Sequence, residues 1–276
     1  MPVFLLLFVV SLVAPSSAEA AAITGNNSPG TANVMGYWKY STPNTTILPE
    51  GEYEAYYKFT INKGERVYVR GSYDKQYTGM KIEVYAPGFS DIGTRVINPS
   101  SLTPFIFAKT GDVTSTTETY YVKVSRGTYT GDMYFTVSIQ DRIKSGSGSF
   151  NFTGTATNTG NTSLNPAGVD SSVITMDLTG NNTIPKGAIV KSIKTASTQT
   201  PNQGIVTHKL MSNQNNVWNT ATAVSATSGS YDISLQNQFL VAKKWSFKYN
   251  AKASGKSTMT KVSADIRYEY DVTEQF

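Results

Sequence analysis

The sequence predicts an all-β protein made of two jelly-roll-like antiparallel β-sandwich domains joined by a short Gly/Ser linker. Apolar and polar residues alternate with a period of two along most of the chain, which is typical of strands that have one buried and one solvent-facing side. The 276 residues include 17 Tyr and 12 Phe, and residues that favour strands and turns are abundant. Helical periodicity is weak throughout, so strands are expected to carry the whole fold.

The first twenty residues predict a secretory signal peptide. Residues 4–13 form the apolar run FLLLFVVSLV, and the small-x-small sequence Ala18-Glu19-Ala20 follows it. The run is too short to cross a bilayer as a helix, and no later stretch is apolar enough to do so. We therefore expect a mature protein that begins near Ala21, has no transmembrane segment, and is secreted to an extracellular or cell-wall-associated location.

Cysteine content and charge narrow the class of protein. The chain has no cysteine, which for a secreted protein of this size favours a bacterial exoprotein over a disulfide-stabilised one. Residues 21–143 contain 12 basic and 11 acidic residues, whereas residues 144–276 contain 12 basic and 7 acidic residues. The basic second half favours a polyanionic neighbour, although modest positive charge also aids solubility alone.

The segment 144–149, Lys-Ser-Gly-Ser-Gly-Ser, predicts a flexible linker because it offers no bulky side chain for packing. It divides the mature chain into a first β-sandwich over residues 21–143 and a second over residues 150–276. Each half has the size of an ordinary single domain.

Alternation also predicts which residues face the two cores. In the first half, the predicted inward positions are Tyr53, Ala55, Tyr57, Phe59, Ile61, Val67, Val69, Met80, Ile82, Val84, Tyr120, Val122, Val124, Met133, Phe135, Val137 and Ile139. In the second half, they are Phe150, Phe152, Ile174, Met176, Leu178, Val206, His208, Leu210, Trp245, Phe247, Tyr249, Val262, Ala264, Ile266, Tyr268 and Tyr270.

Three segments of the first half carry a resemblance to a known family. They are GEYEAYYKFTINKGERVYVRGSYD at 51–74, MKIEVYAPG at 80–88 and TYYVKVSRGTYTGDMYFTVSI at 119–139. Together they resemble the bacterial pre-peptidase C-terminal (PPC) domain, a relative of the collagen-binding modules of clostridial collagenases. The resemblance covers roughly residues 30–142, and the second half resembles no family specifically.

The resemblance implies a β-sandwich of the kind appended to secreted enzymes, often proteases, as a targeting or folding module. Some members of the family bind calcium through acidic residues near the start of the domain. Residues 21–46 of this chain contain neither Asp nor Glu, and no protease domain accompanies the module. The residues themselves predict no cofactor. Calcium binding is implied only by the family resemblance.

Catalytic motifs are absent from the sequence. The one histidine, His208, shares a predicted inward face with Val206 and Leu210, which favours a core position, and a single His cannot supply a zinc site. Gly-x-Ser-x-Gly, His-Glu-x-x-His and P-loop sequences do not occur. The acidic groups at 50–54 and 265–271 fit solvated strand faces better than a carboxylate pair. We therefore predict no enzyme activity.

Aromatic residues at the solvent-facing positions of the predicted strands are the stronger candidates for a binding site. Outward tyrosines present a flat apolar ring with a polar tip, which suits stacking on sugars or packing on an extended peptide. Tyrosine is also a common strand residue without any ligand, and the two outer faces of a sandwich can divide such a set. The predicted ligand-binding residues are Tyr56, Tyr68, Tyr85, Tyr121, Tyr134 and, on the polar loop at 213–219, Trp218.

These observations predict a secreted bacterial protein without enzyme activity that attaches to cell-wall polymer, glycan or extracellular matrix protein. Secretion and the scarcity of aromatic residues among the lysines argue against a nucleic-acid partner. Three alternatives stay open: a membrane-active β toxin that uses the stretch at 220–234, a carbohydrate hydrolase that uses Asp and Glu, and a matrix protein that assembles by its sheet edges.

Overall fold

The computed structural model describes residues 21–88, 90–91, 105–204, 206–225, 227–231 and 238–276. The predicted signal peptide, residues 1–20, lies outside the described residues. The described residues form twenty strands and three short 3-10 helices, at Pro29–Thr31, Trp38–Tyr40 and Val272–Glu274. The predicted all-β class is therefore confirmed. None of the described helices is long and apolar enough to span a membrane.

The first nine strands form two facing sheets with one apolar core between them. They are β1 (Asn33–Tyr37), β2 (Thr45–Leu48), β3 (Glu54–Asn62), β4 (Val67–Ser72), β5 (Lys81–Ala86), β6 (Ser90–Asp91), β7 (Phe105–Lys109), β8 (Thr117–Ser125) and β9 (Met133–Asp141). One sheet has the strand order β1-β3-β8-β5-β6, and the other has the order β2-β9-β4-β7. Their inner faces enclose a cluster that includes Tyr57, Phe59, Val122 and Phe135.

One pairing departs from the predicted antiparallel arrangement. β1 pairs with β3 in parallel, with a register irregularity between Val34 and Gly36. The strand between them in sequence, β2, lies in the opposite sheet, so the chain crosses the sandwich and returns to run in the same direction. β1 is thus a short, irregular edge strand.

The remaining strands form a second sandwich with its own core. They are β10 (Ile143–Asn151), β11 (Ala156–Asn158), β12 (Val169–Asp170), β13 (Ile174–Asp177), β14 (Ile189–Thr200), β15 (Thr207–Ser212), β16 (Trp218–Thr220), β17 (Ala223–Val224), β18 (Ser228–Tyr231), β19 (Lys244–Ala251) and β20 (Ser257–Asp271). One sheet has the order β10-β20-β14-β18-β17, and the other has the order β12-β19-β15-β16. In the stretch 220–234 that suggested a toxin, residues 226 and 232–234 lie outside the described residues.

The predicted inward positions are confirmed for nearly every strand, because they are buried in the two cores. Tyr53 is an exception: it is 72% exposed because it precedes β3, which begins at Glu54. Phe150 and Tyr270 are only partly buried, at the margin of the second core.

The predicted flexible linker is wrong. Residues 144–149 lie within β10, which pairs with β20 over nine consecutive residues without a bulge. Glycine and serine alternate here because the inward positions lie under aromatic rings. A Cβ on Gly146 would lie 2.5 Å from Cε2 of Tyr268, and a Cβ on Gly148 would lie 2.6 Å from Cζ of Phe150. The glycines, which have no side chain, leave room for the aromatic rings on the inner side of the strand, and the serine side chains point outward.

The two sandwiches meet directly, because Arg142 alone separates β9 from β10. Its backbone N–H donates to the carbonyl of Arg66 in the first sandwich at 2.9 Å, and its Nε lies 3.0 Å from Oδ2 of Asp271 in the second. Phe276 extends the contact, since its ring lies edge-on to Tyr68 and Phe107 with centroids 5.7 and 5.1 Å away. The junction is therefore formed by packed side chains and ion pairs.

Candidate functional site

Three of the predicted tyrosines lie together on the outer face of the first sheet. Tyr56 is on β3, Tyr121 on β8 and Tyr85 on β5, and β8 lies between the other two strands. Tyr85 is directly opposite Tyr121, and Tyr56 is opposite Lys123. All three side chains are half-buried. We call this group, Tyr56, Tyr85 and Tyr121, the tyrosine face.

Two of these rings are held in place by carboxylates of their own strands. The hydroxyl of Tyr56 donates to Oε2 of Glu54 at 2.6 Å, and that of Tyr85 donates to Oε2 of Glu83 at 3.3 Å. Lys123 lies between the two carboxylates, with its Nζ 2.7 Å from Glu83 and 3.6 Å from Glu54. A side chain that is already fixed loses less conformational entropy when a ligand binds.

Ionisation on this face follows from the same contacts. Partial burial raises the pKa of Tyr56 to about 12, and its hydrogen bond to Glu54 acts in the same direction. Burial alone lowers the pKa of Lys123, but the hydrogen bond to Glu83 outweighs it and the net pKa is raised. At neutral pH Tyr56 is therefore a neutral phenol, and it lies next to the charged ammonium of Lys123 and the carboxylate of Glu54.

A groove of about 350 Å³ extends from the tyrosine face to the edge of the sheet. Tyr121, Lys58, Thr60 and Gly36 line part of it, and Val34, which is 68% exposed, forms its outer rim. The two residues at the register irregularity of β1, Val34 and Gly36, both line this space. An aromatic ring, an ammonium and a hydroxyl thus border one groove, which is a combination that suits a hydroxyl-rich chain.

The other two predicted tyrosines belong to the opposite sheet. Tyr134 on β9 is 55% exposed, whereas Tyr68 on β4 is only 7% exposed. The prediction that Tyr68 is available for stacking is wrong, because Phe105, Phe107 and the ring of Phe276 cover it. The five predicted residues therefore do not form one surface.

The prediction that Trp218 is an exposed loop residue is also wrong. Trp218 begins strand β16 and is half-buried. The ammonium of Lys248 lies 4.4 Å from the centroid of its ring, so one face of the indole is covered. Lys248 also contacts Oδ2 of Asp170 at 2.6 Å, and Lys209 contacts Oδ1 of the same carboxylate at 2.9 Å.

The lysines of the second half do not form one patch. Lys191 on β14 contacts Glu269 at 3.1 Å in one sheet, whereas Lys248 lies in the opposite sheet. Ion pairs within each face therefore neutralise part of the basic excess.

Catalytic and metal-binding candidates lie apart from the tyrosine face. His208 is 0% exposed and its ring lies edge-on to Phe247 with centroids 5.3 Å apart, which confirms its predicted core position. In the described part of the chain, no group of three or more His, Cys, Asp or Glu is placed to hold a metal ion.

Sequence patterns did not identify two residues that organise the first sandwich. Arg126 is 3% exposed, and its guanidinium donates to backbone carbonyls that include those of Glu52 at 2.6 Å and Leu48 at 3.0 Å. Glu65 accepts hydrogen bonds from Trp38 Nε1 at 2.7 Å and from the hydroxyl of Tyr37. Since these partners are distant in sequence, no local signal marks the contacts.

Comparisons with known proteins give one strong likeness and several distant ones. No family model matches the chain. A domain from the collagenase of Bacillus anthracis, its pre-peptidase C-terminal domain, is 17% identical and covers 40% of this chain and 94% of its own, with a TM-score of 0.31. A protein from Eubacterium rectale is 9% identical and covers 88% of this chain and 80% of its own, with a TM-score of 0.35. Likenesses this distant carry no inference about function.

The strong likeness is to a curated protein of Bacillus subtilis (strain 168), the uncharacterized protein YbdN. The two are 58% identical over 263 residues, which span 95% of this chain and 92% of YbdN. The chain belongs to the same family as YbdN.

Proposed function

We propose that this protein is a secreted, non-enzymatic binding protein that attaches to a hydroxyl-rich extracellular polymer, a cell-wall polymer or glycan, through the tyrosine face. The observation that carries the proposal is the placement of Tyr56, Tyr85 and Tyr121 on three neighbouring strands of one outer face. Their aromatic rings supply stacking surfaces, and the adjoining groove supplies hydroxyl and ammonium groups.

Charge supports a polymer with anionic groups. Lys58 and Lys123 lie among the tyrosines, whereas the basic excess of the chain lies in its second half. Lys123 is shared between two carboxylates, so Lys58 is the cation better placed to reach a ligand in the groove. Attraction of this kind weakens as salt rises, whereas stacking on tyrosine persists.

Co-sedimentation with purified Gram-positive cell walls tests the proposal. The mature protein is mixed with walls that retain or lack their anionic polymers, across a salt series. We expect pelleting that is strongest at low salt and lower without the anionic polymers. Absence of pelleting with either wall preparation at every salt concentration would refute attachment to walls.

Single-tyrosine variants then show which outer face of the first sandwich binds the polymer. Tyr121→Ala removes the central ring of the tyrosine face. We expect a fivefold to fiftyfold loss of affinity, because a stacked aromatic contact contributes about 0.5–1.5 kcal/mol in addition to the free energy of the apolar area that it buries. Tyr134→Ala is the matched control, since it removes an exposed tyrosine from the opposite outer face. Equal losses in the two variants would exclude the tyrosine face as the specific site.

A further inference from the structure

Among the described strands, β10 is an edge strand with one unoccupied side. It pairs with β20 through nine consecutive residues, and among the described residues no strand pairs with its other side. Natural proteins usually blunt such an edge with a bulge, a proline or several charged residues. β10 has no proline and no bulge, and Lys144 is its one charged residue.

Two hydrogen bonds show which backbone groups point away from the sheet. The N–H of Val272 donates to the carbonyl of Arg142 at 2.9 Å, and the N–H of Phe152 donates to that of Val262 at 2.8 Å. Both bonds join residues directly opposite each other in the register, so even-numbered residues of β10 bond to β20. The N–H and C=O groups of Ser145, Ser147 and Ser149 therefore face the open side.

These three residues are exposed, and no hydrogen bond within the described part of the chain engages their N–H groups. Their side chains are small, so they leave the backbone accessible to another strand. Gly146 and Gly148, between them, are covered on the core side by Tyr268 and Phe150, which keeps the strand in place.

The edge is also complementary to a second copy of itself. In an antiparallel pairing centred on Ser147, Ser145 lies opposite Ser149, and Lys144 lies opposite Phe150. All residues that would exchange hydrogen bonds are odd-numbered on both copies, as the geometry of a closely spaced pair requires. No two like charges come to face each other.

We propose that two copies of this chain form a two-fold dimer by antiparallel pairing of their β10 strands. The sheet that contains β10 then continues across the axis into its copy. This inference goes beyond the proposed function and does not depend on it. Because each copy carries one tyrosine face, the dimer would present two of them to a repeating polymer and bind it with greater avidity.

Sedimentation equilibrium of the purified full chain, without any wall polymer, tests the dimer. We expect a monomer–dimer equilibrium. Ser147→Ala should change the dissociation constant of the dimer by no more than about twofold, since that variant retains the N–H group. Ser147→Pro removes the N–H group from the open side without removing a bond to β20, and Ser147→Lys places two ammonium groups at the axis. Both variants are expected to sediment as monomers.

Cross-linking gives a second readout. Because the chain has no cysteine, Ser147→Cys introduces a single thiol, and across a hydrogen-bonded antiparallel pair the two Cα atoms lie about 5.5 Å apart. With dissolved oxygen and a copper catalyst as the oxidant of the two thiols, we expect an intermolecular disulfide in Ser147→Cys and much less in the control Asn182→Cys, which is exposed in a turn. A monomer at the highest soluble concentration, or a dimer that persists in both Ser147→Pro and Ser147→Lys, would overturn the proposal.

Discussion

The outer faces of the two sandwiches use the same residue types to different ends. In the first, Lys123 lies over the ring of Tyr85 and between the carboxylates of Glu54 and Glu83, which in turn accept hydrogen bonds from tyrosine hydroxyls. In the second, Lys248 lies over the ring of Trp218 while it contacts Asp170. On both faces an ammonium thus lies over an outward aromatic ring, at 4.4 Å from the centroid of Trp218 and at 5.7 Å from that of Tyr85. An outward aromatic residue is therefore not equivalent to an available ring.

The edges of the sandwiches differ as well. The first has a short edge strand, β1, with a register irregularity between Val34 and Gly36. The second has the regular nine-residue edge of β10. Irregular edges resist the addition of a strand, and regular ones favour it. In our two proposals, ligand contact belongs to the first sandwich and self-association to the second, and three predictions test how independently the two sandwiches behave.

The largest effect is expected from Arg126→Met. Removal of the guanidinium leaves several buried carbonyls, including those of Leu48 and Glu52, without donors, so we expect the free energy of unfolding of the first sandwich to fall by about 3–5 kcal/mol. Hydrogen exchange resolved by strand measures it. Arg70→Met is the control, because the half-buried Arg70 guanidinium packs on the ring of Phe105, 4.0 Å from its centroid, and the variant keeps an apolar side chain there.

The two sandwiches are expected to respond separately. Strands β3, β8 and β9 would lose protection in Arg126→Met, whereas β19 and β20 would keep theirs. Equal loss in all five strands would show that the junction at Arg142 makes the chain one cooperative unit, and the comparison between sandwiches would then hold for their surfaces but not for their stability.

An intermediate effect is expected in β10. Gly148→Val places a branched side chain where the ring of Phe150 lies, and we expect a loss of about 1–3 kcal/mol of stability. Ser149→Val, on the exposed outward side of the same strand, should change stability by less than about 0.5 kcal/mol. Urea denaturation of both variants measures the difference. If both changes are neutral, the segment behaves as the linker that its composition suggests.

The sequence predicted the two cores well because burial along a strand is a local property. Positions such as Phe59, Val122 and Phe247 could be assigned from their immediate neighbours, since alternate residues must face the same side. The sandwich class follows from the same alternation, repeated in both halves.

Other features depend on partners that are distant in sequence. The composition of a Gly/Ser segment predicts a linker. Only the structure shows that the ring of Tyr268 packs over this one. Tyr68 is outward by alternation, yet Phe276 at the other end of the chain covers it. Of the predicted binding residues, Tyr56, Tyr85 and Tyr121 are brought together because their strands happen to be neighbours, which alternation alone does not specify.

The smallest effect is expected from acid, and it should differ between the sandwiches. Partial burial on its own raises the pKa of Glu65, but hydrogen bonds from Lys39, Tyr37 and the backbone of Asn62 outweigh it and lower the pKa to about 2. Burial also opposes ionisation of Asp170, and hydrogen bonds from its lysine and asparagine neighbours likewise lower its pKa to about 2.

A carboxyl group whose pKa is lower in the folded state stabilises the fold above its unfolded pKa, and that contribution is lost as the pH falls towards the folded value. Glu65 starts from an ordinary pKa of 4.5 and Asp170 from 3.8, so the first sandwich should weaken earlier and more. After allowance for solvent screening, we expect about 2 kcal/mol from Glu65 and about 1 kcal/mol from Asp170.

Thermal unfolding between about pH 5 and pH 2 compares wild type with Glu65→Gln and Asp170→Asn. At about pH 5 each variant should be less stable than wild type. The difference in stability should shrink as the pH falls, because a protonated carboxyl resembles the neutral amide. The difference for Glu65→Gln should begin to shrink at the higher pH. A difference that stays constant across the range would mean that these carboxylates act through packing alone, and the two sandwiches would then not differ in their response to acid.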